Sequence, residues 1–184
     1  MKKIKVEIKG ETPLLMNNPA SMIEEAVGNV KKAVRMKTRT RAEVEKEADK
    51  LAYKKSNGEL YISSEAIKGS LVGASSWKKI GKYSAKPIIA GGVQIVPSQV
   101  GLGIKKYSLD IRTVVIQRNR VVKVRPKIDN WKVSFEIEYD ETLIGNPEII
   151  KEILEEAGKR VGLLDFRPQK TGNFGKFKIT KWVE

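Results

Sequence analysis

The chain has 184 residues, with 36 Lys plus Arg against 22 Asp plus Glu for a formal charge of +14, and it contains neither His nor Cys. No disulfide framework, thiolate nucleophile, zinc finger, imidazole base or Ser-His-Asp triad can be built from it, so any catalysis falls to carboxylates, lysine, arginine or hydroxyls. The length suits one main domain burying roughly 70% of its unfolded surface, and the cationic surplus makes a polyanion, nucleic acid first, the leading class of partner.

Ile4, Val6 and Ile8 alternate with Lys5, Glu7 and Lys9, the period of a half-buried strand over 2–9 that Thr12-Pro13 stops. The first residues carry no continuous apolar stretch, so neither a signal peptide nor a spanning helix is expected, and the expected location is cytoplasmic. Residues 20–53 are rich in Ala, Glu, Lys and Val and predict two helices, about 21–35 and 40–54. Thr40 and Glu43 form a capping box for the second. The run KKAVRMKTRTR at 31–41 has six cations and no acid. Its Lys32, Arg35, Lys37, Arg39 and Arg41 make either a solvated face or a phosphate-binding insertion.

Leu60-Tyr61-Ile62 reads as a short strand that delivers Ser63-Ser64 as the cap of a helix over about 64–77. Ala66, Ile67, Leu71 and Ala74 share one side of that helix, which also carries Lys68. Residues 78–107 form a lysine-bearing, loop-rich connection with a strand at Val93 to Val96. A hairpin follows, Leu109 to Gln117 and Val121 to Arg125, joined at Arg118-Asn119 because asparagine tolerates the positive φ of a tight turn. Its cations are Arg112, Arg118, Arg120, Lys123, Arg125 and Lys127, against a single acid, Asp110. Trp131, Val133, Phe135, Ile137 and Tyr139 then line one face of a strand. Asn146-Pro147 starts a helix whose apolar residues run from Ile149 to Val161 and which ends near Gly162. The last strand spans about 175–183, with Phe177 and Ile179 inward.

Without the long connections the order is strand, helix, strand, strand, helix, strand. The expected fold class is α+β: a ferredoxin-like, RRM-like βαββαβ antiparallel sheet, in one domain over 1–184. Its insertions are helical at 20–55 and a connection with hairpin at 78–127. The aromatic RRM signature is absent, so base stacking on the sheet is not expected.

The segment from Gly162 to Phe177 joins the last helix to the last strand. Gly162, Gly172 and Gly175 let backbone approach a ligand, and consecutive N–H groups can form an anion-binding concavity beside Arg167, Lys170 and Lys176. A turn that packs Phe166 and Phe174 into the core fits the same residues.

A glycine-rich loop in that position resembles the hallmark of the RAMP superfamily, the repeat-associated proteins of CRISPR ribonucleoproteins. Glu11-Thr12-Pro13-Leu14-Leu15 after the first strand is similar to the backbone subunits of that family. So is Leu60-Tyr61-Ile62 with Ala66-Ile67-Lys68-Gly69-Ser70-Leu71. The resemblance implies a subunit that assembles along a guide RNA, as a homo-oligomer or with other effector subunits. It would insert a hairpin thumb between bases, either the 109–126 hairpin or the 78–107 connection.

Many relatives that cut target RNA carry an aspartate in the loop after strand one, where this chain has Met16-Asn17-Asn18-Pro19. A binding protein rather than an enzyme is therefore expected, without metal or cofactor, and RNA is favoured over DNA. The alternatives are a single-stranded-DNA-binding protein of a virus or mobile element, a carboxylate and metal-dependent nuclease using Asp165 or Asp129 with Asp140, and a scaffold for an acidic protein.

Overall fold

The structure, a computed structural model, describes residues 1–20, 40–116 and 118–184. The helix expected at 21–35 and the cations Lys32, Arg35, Lys37 and Arg39 lie outside them. The elements in chain order are β1 (Lys2–Gly10), β2 (Leu14–Leu15), α1 (Arg41–Leu51), β3 (Tyr61–Ser63), α2 (Ser64–Ser75), β4 (Lys79–Ile80), β5 (Tyr83–Ser84), α3 (Ala85–Gly92), β6 (Val93–Val96) and β7 (Gln99–Gly101). They continue with β8 (Ser108–Ile116), β9 (Asn119–Ile128), β10 (Lys132–Tyr139), α4 (Glu141–Ile144), α5 (Glu148–Glu156) and β11 (Phe177–Val183). A wide turn, Ala157–Val161, prolongs α5.

Four strands form the main sheet in the order β11-β1-β10-β6, every neighbour antiparallel. Counting only these strands, the order is fourth, first, third, second. With α2 between the first and second and α5 between the third and fourth, the topology is ferredoxin-like. The period-two alternation sets the layers: Ile4, Val6, Ile8, Val133, Phe135, Ile137 and Tyr139 are all buried. They meet Ile67, Leu71 and Ala74 of α2 and Ile150, Ile153 and Leu154 of α5 in one core. A β-bulge between Glu7 and Ile8 shifts the pairing with β11, which turns Trp182 towards that core and Lys181 and Val183 away from it.

The caps follow the sequence. Thr40 and Glu43 form the reciprocal box that opens α1, and Ser63 Oγ accepts from Ala66 N at 3.2 Å to open α2. Leu60-Tyr61-Ile62 contributes to the short strand β3, which pairs with β7 in a separate ribbon. One expectation changes. The 78–107 connection is not loop-rich: it folds into β4, β5, α3, β6 and β7, and its Val93–Val96 is the edge strand that pairs with β10.

Strands β8 and β9 make a long hairpin outside the sheet, in register from Ser108↔Lys127 to Ile116↔Asn119. Arg118, at φ 67°, takes the left-handed position expected for Asn119. The hairpin root is held by β2, with Leu14 opposite Ile128 and Leu15 opposite Lys127. No helix among the described residues is long and apolar enough to cross a membrane.

Candidate nucleic-acid interface

The glycine loop is stitched to itself and to the chain after β1. Leu163 N donates to Gly175 O at 2.9 Å, Phe174 N to Phe166 O at 3.2 Å, and Gly172 N to Arg167 O at 3.0 Å. Gly175 N reaches Pro13 O at 2.8 Å, Asp165 N reaches Leu15 O at 3.1 Å, and Lys176 N donates to Thr12 Oγ1 at 2.9 Å. These donors face protein oxygens, so the expected anion-binding row of N–H groups does not form from them. The glycines serve close packing instead. A Cβ on Gly172 would stand 1.7 Å from Phe166 O, and Gly175 sits at φ 70° with Leu163 O 2.1 Å from where a Cβ would be. Neither position admits a side chain. What the loop presents outward is side chains: Lys170 is exposed and Arg167 and Lys176 are half-buried.

Beside the loop lies the root of the β8–β9 hairpin, and an ion-pair cluster joins them. Arg125 Nε stands 2.6 Å from Asp165 Oδ2, and Arg125 Nη1 stands 3.9 Å from Asp110 Oδ2. Arg112 Nε donates to Asp110 Oδ1 at 2.7 Å. Lys123 Nζ lies 3.8 Å from Asp165; burial pushes its ammonium down from the usual lysine range, against the upward pull of that carboxylate. Above the cluster, the Arg112 guanidinium lies 4.7 Å from the centre of the Phe174 ring and 6.0 Å from that of Phe166. The two rings pack on each other with centroids 5.9 Å apart. The phenylalanines are half-buried under an arginine rather than sunk in the core.

This arrangement sorts the predicted cations. Arg118 and Arg120 stand exposed on the hairpin with no ion pair among the described residues. Lys68 is half-buried on α2. Arg41 is exposed and pairs with Glu45 at 3.1 Å. Arg125 requires a correction: its side chain is only 8% exposed and is committed to two carboxylates, so it is a structural ion rather than a phosphate contact. Arg112 and Lys123 are partly spent in the same way. Asp165 pairs with Arg125 and Lys123, whereas Arg167 instead donates through Nη1 to Leu164 O at 2.9 Å and through Nη2 to Gln169 Oε1 at 3.0 Å.

The carboxylates weighed for metal chemistry are dispersed in role. Asp129 is held by Lys127 at 3.0 Å, and Asp140 caps α4 through Thr142 N at 2.9 Å. Among the described residues no three carboxylates gather into a candidate metal site. Trp131 packs, with its Nε1 donating to Thr12 O at 2.9 Å and its ring edge-on to Phe177. The open face of the sheet carries mixed charge: Lys3 pairs with Glu138 at 2.9 Å and Lys132 with Glu7 at 3.1 Å.

No family model matches the sequence, and no curated protein matches it. Solved structures do. A chain of the type III-B Cmr-beta complex, solved bound to cognate target RNA, superposes with a TM-score of 0.60 at 16% identity over 98% of this chain. The two share the ferredoxin-like fold described above. The present chain spans 59% of that subunit's length. Two further likenesses are weaker: Cmr6 from Pyrococcus furiosus, with a TM-score of 0.43 at 13% identity over 96% of this chain and 97% of that one, and a chain of a CRISPR RNA-guided surveillance complex, with 0.39 at 7% over 97% and 66%. The fold assignment rests on the first alone.

Proposed function

We propose that this chain is a single-stranded RNA-binding subunit that lies along its strand beside further copies of itself or other effector subunits, and that it binds without cutting. The observation that carries this reading is the joint between the hairpin and the glycine loop. Arg125 and Asp165 hold a hairpin bearing Arg118 and Arg120 against a loop bearing Arg167, Lys170 and Lys176. The result is a cationic edge anchored at the hairpin root, suited to a phosphate backbone and indifferent to base identity. A protein of the same fold occurs in a complex solved on target RNA. Engagement of Asp165 by Arg125 and Lys123 supports binding over hydrolysis, because a carboxylate so occupied is a poor metal ligand or base.

The test is titration of a fluorescein-labelled 20-nucleotide oligo-uridine by anisotropy. With about six phosphates contacted, affinity falls by roughly a thousandfold between 50 and 200 mM salt. The matching deoxy strand binds more weakly if 2′-hydroxyls are read; tighter binding of DNA would favour the mobile-element reading. Affinity flat with salt defeats the proposal. RNA incubated with magnesium stays intact, and magnesium-dependent cuts lost in Asp165→Asn would make the protein a nuclease.

A further inference from the structure

A second patch lies outside the interface just described. Helix α2 runs out at Ser75, and the chain leaves it through Trp77 into the small β4–β5 hairpin, paired Lys79↔Ser84 and Ile80↔Tyr83. Gly81 at φ 60° makes the turn. The root of this hairpin is fixed: Ala85 N donates to Lys78 O at 3.1 Å, Lys78 Nζ reaches Glu152 of α5 at 3.0 Å, and Ile80 packs on the core. On that fixed base Trp77 is 59% and Tyr83 73% exposed. Two large rings thus stand bare within seven residues of sequence, open to a ligand.

The charge around them indicates what. No Asp or Glu occurs between Glu65 and Asp110, while Lys79, Lys82 and Lys86 flank the rings. Those three lysines are exposed or on exposed turns and make no ion pair with a described residue. Unpaired cations interleaved with solvent-facing aromatic rings are the chemistry of single-strand binding, in which rings stack on bases and ammonium groups hold the phosphates between them. The patch is also near the first interface. Gly73 of α2 packs against the glycine loop, a Cβ there standing 3.1 Å from Gln169 Nε2. Trp77 follows four residues later, about 6 Å further along the helix direction.

We propose that the β4–β5 hairpin is a second single-strand contact, with Trp77 and Tyr83 stacking on unpaired bases and Lys79, Lys82 and Lys86 holding the adjoining phosphates. This rests on the RNA-binding reading above, and the experiment separates the two. Affinity for the labelled oligo-uridine is measured across salt for the unmodified chain, for Trp77→Ala with Tyr83→Ala, for Trp77→Phe, and for Lys79→Ala, Lys82→Ala and Lys86→Ala together. The double aromatic variant loses roughly tenfold or more in affinity with its salt slope unchanged. Trp77→Phe retains most of the binding. The triple lysine variant flattens the logarithmic salt slope by about 2. Crosslinking of 5-iodouridine RNA marks Trp77 or Tyr83.

Full binding by all the variants, with no crosslink in this segment, overturns the second contact and leaves the first interface standing. An unmodified chain that ignores the oligonucleotide overturns both. Aromatic variants that bind RNA normally but lose a copurifying acidic protein assign the patch to that protein and overturn this proposal. All five side chains are at the surface, so a thermal melt matching the unmodified chain is expected and excludes misfolding as the cause.

Discussion

The open face of the main sheet and the edge formed by the β8–β9 hairpin with the glycine loop both bristle with lysine and arginine, yet they differ in how those charges are spent. On the sheet face Lys3, Lys132 and their neighbours alternate with Glu7, Glu136 and Glu138 across the strands and pair with them. Three glutamates there lie among the lysines at the surface and offset part of their charge. At the edge, the acids Asp110 and Asp165 are drawn beneath the surface by Arg125, and the outer cations Arg118, Arg120 and Lys170 have no acidic partner among the described residues. Net charge therefore points to the class of partner, while the placement of the acids sets which surface offers it unpaired cations.

The most damaging way to break this contrast is Gly172→Ala. Its Cβ meets a backbone oxygen that cannot retreat, and the loop loses its packing; expect several kcal/mol of destabilisation or failure to accumulate folded protein, read by circular dichroism. Arg125→Met comes next. It leaves Asp110 and Asp165 without their shared guanidinium, at a cost of about 3 kcal/mol in urea unfolding, whereas Lys132→Ala on the sheet face costs under about 1 kcal/mol. Equal costs would erase the distinction.

Arg118→Ala with Arg120→Ala weakens RNA binding by roughly tenfold and flattens the salt slope by about 1.4, with stability unchanged. Lys5→Ala with Lys181→Ala, on the sheet face, alters neither quantity. The smallest effect is in pH. Hydrogen bonds from Thr180 and Lys132 hold the Glu7 carboxyl below its usual range. A lowered folded value means that its contribution is present above the ordinary carboxylate pKa and disappears as pH falls through the lower value. The gap in urea midpoint between the unmodified chain and Glu7→Gln should thus be open at pH 6 and closed near pH 2.

Much of the scaffold was legible in the sequence because single strands and helices announce themselves by period. The alternation in β1 and β10 and the helical spacing of Ile150, Ile153 and Leu154 placed the core residues correctly, and the order of elements led to the ferredoxin-like topology. The ribbon of β3 with β7 was not legible, since a three-residue strand carries no information about its partner. At the interface the residue types were readable but their commitments were not. Arg125 sits in a strand with Val124 and Pro126 buried on either side of it in sequence, because β2 and the glycine loop cover it from different directions, and alternation cannot report burial on both faces. The partner of Asp165 lies 40 positions away, and no local spacing announces it. The one available signal was Asp165 itself, the sole carboxylate between Glu156 and Glu184. The two bare rings at Trp77 and Tyr83 carried a different ambiguity: an aromatic beside lysines reads the same whether it packs inward or faces solvent.

The stitching of the glycine loop to Thr12, Pro13 and Leu15 has a consequence for biosynthesis. Residues 163–176 leave the ribosome long after the 108–128 hairpin, and until they do Arg125 has no Asp165 to meet and the hairpin rests only on elements that precede it, β2 among them. The ion pair that joins hairpin to loop thus closes only once the segment before β11 is in place. The joint between hairpin and loop therefore depends on residues from both ends of the polypeptide.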